Sequence, residues 1–200
     1  MGKSHPSVDD YVVSRVRALE SLLLEKGVLG TDAVDGVIRR YESSTGPMIG
    51  ARAVARAWRD QAYRTRLLDT PTAALADLGL SFDRLVVVEN TAAVHNMVVC
   101  TLCSCYPWSV LGLPPTWYKS PEYRSRAVSE PRKVLAEFGL AVPADREIRV
   151  WDSSAELRYM VLPIAPSGAA QLDEDALAHQ VTREALIGVA EVRLDRGAAR

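Results

Sequence analysis

The chain has 200 residues, 48% hydrophobic and 24% charged, with 24 basic and 25 acidic side chains and a formal net charge of −1. That size and apolar content support a buried core without disulfides, and the interspersed charges leave no basic footprint for nucleic acid and no polybasic membrane patch. The opening MGKSHPSVDD has no apolar stretch of signal-peptide length, and the longest apolar runs, LVVVE and NMVVC, are far too short to span a bilayer, so a cytoplasmic protein is expected.

Along the chain, Val12, Val16, Leu19 and Leu23 recur at helical spacing and Gly27 closes the run. Thr31 and Asp32 open a second helix carrying Val34, Val37, Ile38 and Tyr41, and the polar segment ESSTGPMIG then breaks the pattern. We therefore expect a helical arm over residues 1–45 and a body over 46–200. Two amphipathic helices have little core of their own, so the arm is expected to lie on the body of its own chain or on a partner subunit, the second being the expectation taken forward. In the body, Val54, Trp58, Tyr63, Leu67 and Leu68 continue a helical spacing, and TPTAALADLGL adds a short helix with Thr70 as cap, Pro71 at its first position and Gly79 beyond its end. RLVVVEN and VHNMVVC then read as two strands. Helix starts follow at Ser120-Pro121 and Glu130-Pro131, with a stop at Gly139. EIRVWDS and LRYMVLP read as a further strand pair, 173–187 as helix, and EVRLDRGAAR as a loose tail. The expected fold is α+β, a helical arm followed by a layered α/β body.

All three cysteines, Cys100, Cys103 and Cys105, lie in VVCTLCSCYPW, where the second strand ends. Clustered thiols in a reducing compartment favour metal or redox work over disulfides. The sulfurs of Cys103 and Cys105 and the backbone nitrogens of Ser104 and Cys105 can chelate one ion in a plane, with Cys100 Sγ from below and the opposite position open. Amide nitrogens suit trivalent low-spin cobalt or iron better than zinc, which prefers four side-chain ligands. The nearby His95 points away from Cys100 on a regular strand, and an iron–sulfur cluster usually takes four cysteines. Spacing alone leaves a catalytic metal site, a structural zinc and free thiols as alternatives.

The segments VVCTLCSCYPWSVLGLPPTWYKSPEYRSRAVSEPRKVLAEFGL and EIRVWDSSAELRYMVLP resemble the α subunit of nitrile hydratase. The likeness runs from RVRALESLLLEKG through GARAVARAW and VVVENT to VTREALIGVA, nearly the whole chain. It implies hydration of a small-molecule nitrile to its amide at a metal claw. Cys103 matches the ligand oxidised to sulfinic acid, Cys105 the one oxidised to sulfenic acid, and Cys100 the unmodified axial thiolate, while Ser104 and Cys105 match the amide donors. Thr101, after the first cysteine, resembles cobalt-type members, so one Co3+ per α subunit is expected ahead of Fe3+. The resemblance further implies a β subunit supplying arginines to the oxidised sulfurs, in an αβ heterodimer or (αβ)2 heterotetramer, and an activator protein that loads the metal. Arg158 matches an arginine that supports the claw. Trp108 and Tyr106 flank the claw as candidate pocket walls, and Asp152 is either an arginine partner or a surface turn residue. The loop DLGLSFDR lacks a glutamine that many members place before LVVVEN, so that role is not carried over. The metal-bearing subunit of thiocyanate hydrolase shares the claw and is the alternative enzyme; a non-catalytic zinc or thiol regulatory protein is the alternative of another class.

Overall fold

The computed structural model describes residues 8–30, 47–103 and 105–194, in two units spanning residues 1–40 and 41–200. The second helix expected from Thr31, the boundary near residue 45 and the end of the tail lie outside the described residues. In the first unit, helix α1 (Val8–Glu25) ends at Gly27, whose positive φ of 67° closes it as expected. Val16, Leu19 and Leu23 on this helix are exposed.

The second unit begins with α2 (Pro47–Arg59) and α3 (Gln61–Asp69), which the periodicity predicts as one run. Asp60 divides them: its Oδ1 accepts from Ala62 N at 2.8 Å and Tyr63 N at 3.0 Å, so the backbone leaves helical geometry there to form an N-cap. Helix α4 (Pro71–Ala76) starts after Thr70, but the Thr70 hydroxyl donates back to Arg66 O instead of capping. Strands β1 (Leu85–Glu89) and β2 (Val94–Val99) follow, then a short helix α5 (Trp108–Leu111) and a 3-10 turn (Thr116–Lys119). Helix α6 (Pro121–Ser129) is capped by Ser120, whose Oγ accepts from Tyr123 N, and α7 (Pro131–Glu137) ends at Gly139. Strands β3 (Glu147–Asp152) and β4 (Arg158–Leu162) precede α8 (Glu174–Gln180) and α9 (Arg183–Ile187). The last two are separate helices because Thr182 interrupts the run and caps the second through Ala185 N. The expected loose tail is corrected in part: Val192 is buried in the core and Leu194 packs against it.

The strands do not pair in chain order. β1 pairs in parallel with β4, from Leu85↔Arg158 to Glu89↔Leu162, and β2 with β3, from Val94↔Glu147 to Val99↔Asp152. The expected pairing of 147–152 with 158–162 is thereby overturned. A turn at Ser154, whose N–H donates to Leu157 O at 2.8 Å, carries the chain from one sheet to the other rather than folding it into a hairpin. Parallel pairing needs long crossovers, and the claw and helices α5 to α7 all lie in the connection from β2 to β3. Tyr63, Leu67, Leu75, Met97, Leu111, Met160, Leu177 and Leu186 are fully buried between the strands and α2, α3, α8 and α9. At about 1.5–3 kcal/mol for each large aliphatic side chain, this burial is the main stabilising term.

One polar knot sits in that core. His95 is fully buried; its Nε2–H donates to Gly188 O at 2.7 Å, and Nδ1 faces Asn90 Nδ2 at 3.5 Å. Asn90 Oδ1 accepts from Asn96 N at 2.7 Å, and Asn96 Oδ1 accepts from Trp151 Nε1 at 2.8 Å, tying the β1–β2 corner to β3. Gly188 has φ +89°, and a Cβ there would lie 2.1 Å from Asn96 O. Gly188→Ala is therefore expected to cost about 3 kcal/mol or more, read as a lowered denaturant midpoint. Burial lowers the His95 pKa below 6.5. The unfolded chain then takes up the His95 proton first, so this group costs no stability above pH 6.5 and destabilises the fold as pH drops below it. His95→Asn is expected to lower Tm at pH 7.5 and to flatten the loss of Tm between about pH 6.5 and 5.

Candidate metal centre

Strand β2 delivers the chain to Cys100, which is fully buried, and a turn brings back Cys103, which is exposed, and Cys105, which is partly buried. The Cys100 and Cys103 sulfurs are 3.3 Å apart, those of Cys103 and Cys105 are 3.0 Å apart, and all three lie within 4.8 Å of one another. The Cys103 N–H points at Cys100 Sγ at 3.3 Å, so the turn itself folds around the buried sulfur. Ser104, expected as an amide donor, lies outside the described residues.

The turn is gripped from three sides. On β3, Asp152 Oδ1 accepts from Thr101 N at 2.9 Å and Oδ2 from Thr101 Oγ1 at 2.5 Å. On α6, Arg124 Nε donates to Cys100 O at 3.1 Å and Nη2 to Thr101 O at 2.6 Å. From below, Tyr118 Oη donates to Cys105 O at 3.1 Å and Tyr123 Oη to Val98 O at 2.7 Å. The register Val99↔Asp152 brings Asp152 beside Thr101, a link invisible to local spacing. Local spacing gives Arg124, Tyr118 and Tyr123 no role at the claw; helix α6 and the aromatic contacts among Trp117, Tyr118 and Tyr123 position them.

The electrostatics of the cluster point to a cation. The Cys105 thiol is pushed up to about 12, first by its hydrogen bond with Cys103, then by burial and by the negative potential of the other two sulfurs. Three thiols this close ionise together only when a cation takes up their charge, and soft thiolates select cobalt, iron or zinc over hard ions. A structural zinc would lack its fourth side-chain ligand, because no histidine, aspartate, glutamate or further cysteine joins the cluster among the described residues. His95 faces away from it, with both ring nitrogens engaged in the core knot.

Beside the cysteines lies a cavity of about 470 Å³ lined by Cys105, Tyr106, Trp108, Ser109 and Arg158 and, across it, by Ser81, Phe82 and Asp83 of the loop before β1. Tyr106 is buried, edge-on to Tyr118 with ring centroids 5.1 Å apart, so it contributes wall. Trp108 is 42% exposed at the start of α5 and holds Lys119 Nζ 5.8 Å from its ring centroid. Arg158 enters the cavity from β4 and donates from Nη1 to Ala155 O at 2.8 Å.

The chain matches the family described as nitrile hydratase, alpha chain, over residues 10–190. It is 54% identical to the low-molecular weight cobalt-containing nitrile hydratase subunit alpha of Rhodococcus rhodochrous, over 92% of this chain and 90% of that one. It is 50% identical to the cobalt-containing nitrile hydratase subunit alpha of Pseudonocardia thermophila, over 94% of each. The thiocyanate hydrolase subunit gamma of Thiobacillus thioparus is 39% identical, over 92% of this chain and 80% of its own length. Among solved structures, a double mutant of the Fe-type nitrile hydratase from Comamonas testosteroni Ni1 superposes with a TM-score of 0.87 at 39% identity, covering 95% of this chain and 97% of that one. With a family match across almost its whole length and relatives at half identity or more, this chain belongs to the nitrile hydratase α chain family.

Proposed function

We propose that this chain is the metal-bearing subunit of a cobalt nitrile hydratase, which hydrates a nitrile to the corresponding amide. The observation that carries the reading is the packing of three cysteine sulfurs within 4.8 Å, one of them, Cys105, lining a cavity walled by aromatic side chains. The names of the two half-identical relatives support cobalt in the same place. The nitrile reading is favoured over thiocyanate because those relatives share more identity with this chain than the thiocyanate hydrolase subunit does.

In this reading Cys100, Cys103 and Cys105 hold a trivalent, low-spin cobalt, joined by the backbone nitrogens of Ser104 and Cys105. When bound, the ion supplies Lewis acidity to the substrate position. Cys103 carries the sulfinic and Cys105 the sulfenic group. The Cys105 sulfenate oxygen would serve either as the nucleophile on the nitrile carbon or as the base that takes a proton from the attacking water. Arg124 and Asp152 hold the turn from opposite sides, so the sulfurs keep their spacing while charge shifts among them. Tyr106 and Trp108 give the nitrile's carbon chain an apolar wall, and Arg158 stands beside Cys105 as a supporting cation. A β subunit completes the site with arginines that donate to the oxidised sulfurs, metal loading uses an activator protein, and the helical arm of residues 1–45 packs on a partner chain through Val16, Leu19 and Leu23.

Mass spectrometry of the peptide spanning residues 98–108, taken from an active cobalt-loaded complex, is expected to show Cys103 as sulfinic and Cys105 as sulfenic acid. Three freely alkylatable cysteines in such a preparation would overturn the oxidised claw. Asp152→Ala is expected to lower cobalt retention or kcat by about 10- to 100-fold, as loss of a ligand-orienting contact does. Asp152→Asn, which keeps one acceptor for Thr101 N, is expected to fall between the two in a cobalt-release assay with a chelator.

A further inference from the structure

The loop Ser81–Asp83 forms the cavity wall across from Cys105, and its path is built into the backbone. Arg84 is the non-glycine residue with positive φ, 63°, among the described residues. Its carbonyl accepts the Arg158 N–H at 2.9 Å, one step before the β1–β4 register begins at Leu85↔Arg158. A non-glycine residue held in the left-handed region costs about 1 kcal/mol or more and persists where surrounding structure demands it. Here the demand is local: the turn at Arg84 ties the loop to the first residue of β4, so Asp83 and Arg158 come to line one cavity.

These two side chains are the cavity's fixed charges. No hydrogen bond or ion pair engages the Asp83 carboxylate among the described residues, and Arg158 spends Nη1 on the neutral Ala155 carbonyl rather than on an acid. Outside the charge of the claw itself, one carboxylate and one guanidinium line the space beside Cys105, and their fields offset each other on a substrate there. Take away the carboxylate and the field of Arg158 is no longer offset, which favours an anion.

We propose that Asp83 sets the charge selectivity of this site, holding it for neutral nitriles and against small anions such as thiocyanate; the inference rests on the enzyme reading above. Asp83 acts on the substrate through the field, with no proton or electron transfer. An uncharged isostere at this position shifts preference toward the anion, and a glutamate preserves it.

The test uses the cobalt-loaded complex with its β subunit, as wild type, Asp83→Asn and Asp83→Glu. Thiocyanate is titrated at low ionic strength against the visible absorption of the cobalt centre, and propionitrile kcat/KM is measured on the same samples. Asp83→Asn is expected to tighten thiocyanate binding about tenfold, equivalent to about 1.4 kcal/mol, and to raise the ratio of thiocyanate affinity to propionitrile kcat/KM. Asp83→Glu is expected to track the wild type, and added salt to shrink the difference. An Asp83→Asn complex that binds thiocyanate within twofold of the wild type would overturn the assignment to Asp83 while leaving the enzyme reading intact. A wild-type complex that hydrates no nitrile would overturn the enzyme reading, with the thiocyanate titration still deciding the role of Asp83.

Discussion

Three sulfurs within 4.8 Å of one another are a concentrated electrostatic problem, and much of the second unit is arranged around it. Left without a cation, Cys105 resists ionisation, its pKa raised first by its hydrogen bond with Cys103. A cation relieves this only if the backbone keeps the sulfurs together before it arrives. The polypeptide achieves this by fixing the backbone of the turn and the Thr101 hydroxyl: Arg124 takes the Cys100 and Thr101 carbonyls, Asp152 takes the Thr101 amide and hydroxyl, and Tyr118 takes the Cys105 carbonyl. Each hydrogen bond contributes about 1 kcal/mol on its own, more where a charge is involved. Their value lies in acting on one short turn from three different elements.

The parallel pairing of β2 with β3 makes that convergence possible. Because the two strands run the same way and stop at Val99↔Asp152, their C-terminal ends present Cys100 and Asp152 side by side. An antiparallel pairing of the same strands would set the end of one beside the start of the other and separate the claw from its aspartate. The long β2–β3 connection then has room for α5, α6 and α7, which return Arg124, Tyr118 and Tyr123 to the turn that begins it. Fold and site share one topological choice, and the polar knot of His95, Asn90 and Asn96 holds that choice at the opposite end of β2.

Local chemistry was readable from the sequence, and topology was not. Gly27, Ser120, Pro121, Pro131 and Gly139 announce helix ends because capping and φ restrictions act within a few residues. The cysteine cluster announces itself because its donors are neighbours in sequence. Asp60 escaped notice because it sits in an otherwise helical pattern and interrupts it with a side-chain cap visible only in its bonds to Ala62 and Tyr63. Strand pairing escaped because β-branched runs do not encode partners or direction. The Asp152 latch, which depends on register, was lost with it. Nothing within a few residues of Asp83 gave it a role either, since its relation to Arg158 and Cys105 is made by the β1–β4 ladder.

The surface around the claw is apolar where, in the proposed reading, a second chain covers it. Leu102, inside the cysteine turn, is 86% exposed, and Trp108 and Leu113 just beyond it are also largely open. An apolar side chain is seldom placed on a metal-binding turn for solubility; covered by a second chain, it excludes water from the reacting position. The same arrangement answers a chemical need. In the proposed reading, oxidised sulfurs carry negative charge that calls for cationic donors; within this chain Arg124 is already committed to backbone carbonyls, and Arg158 shares the cavity wall beside Cys105 with the Asp83 carboxylate. In that reading the remaining positive charge comes from a partner chain. On the proposed reading the subunit interface is part of the electrostatic design of the claw: the α chain holds the ligands and leaves to its partner both the apolar cover and the cations that oxidised sulfurs call for.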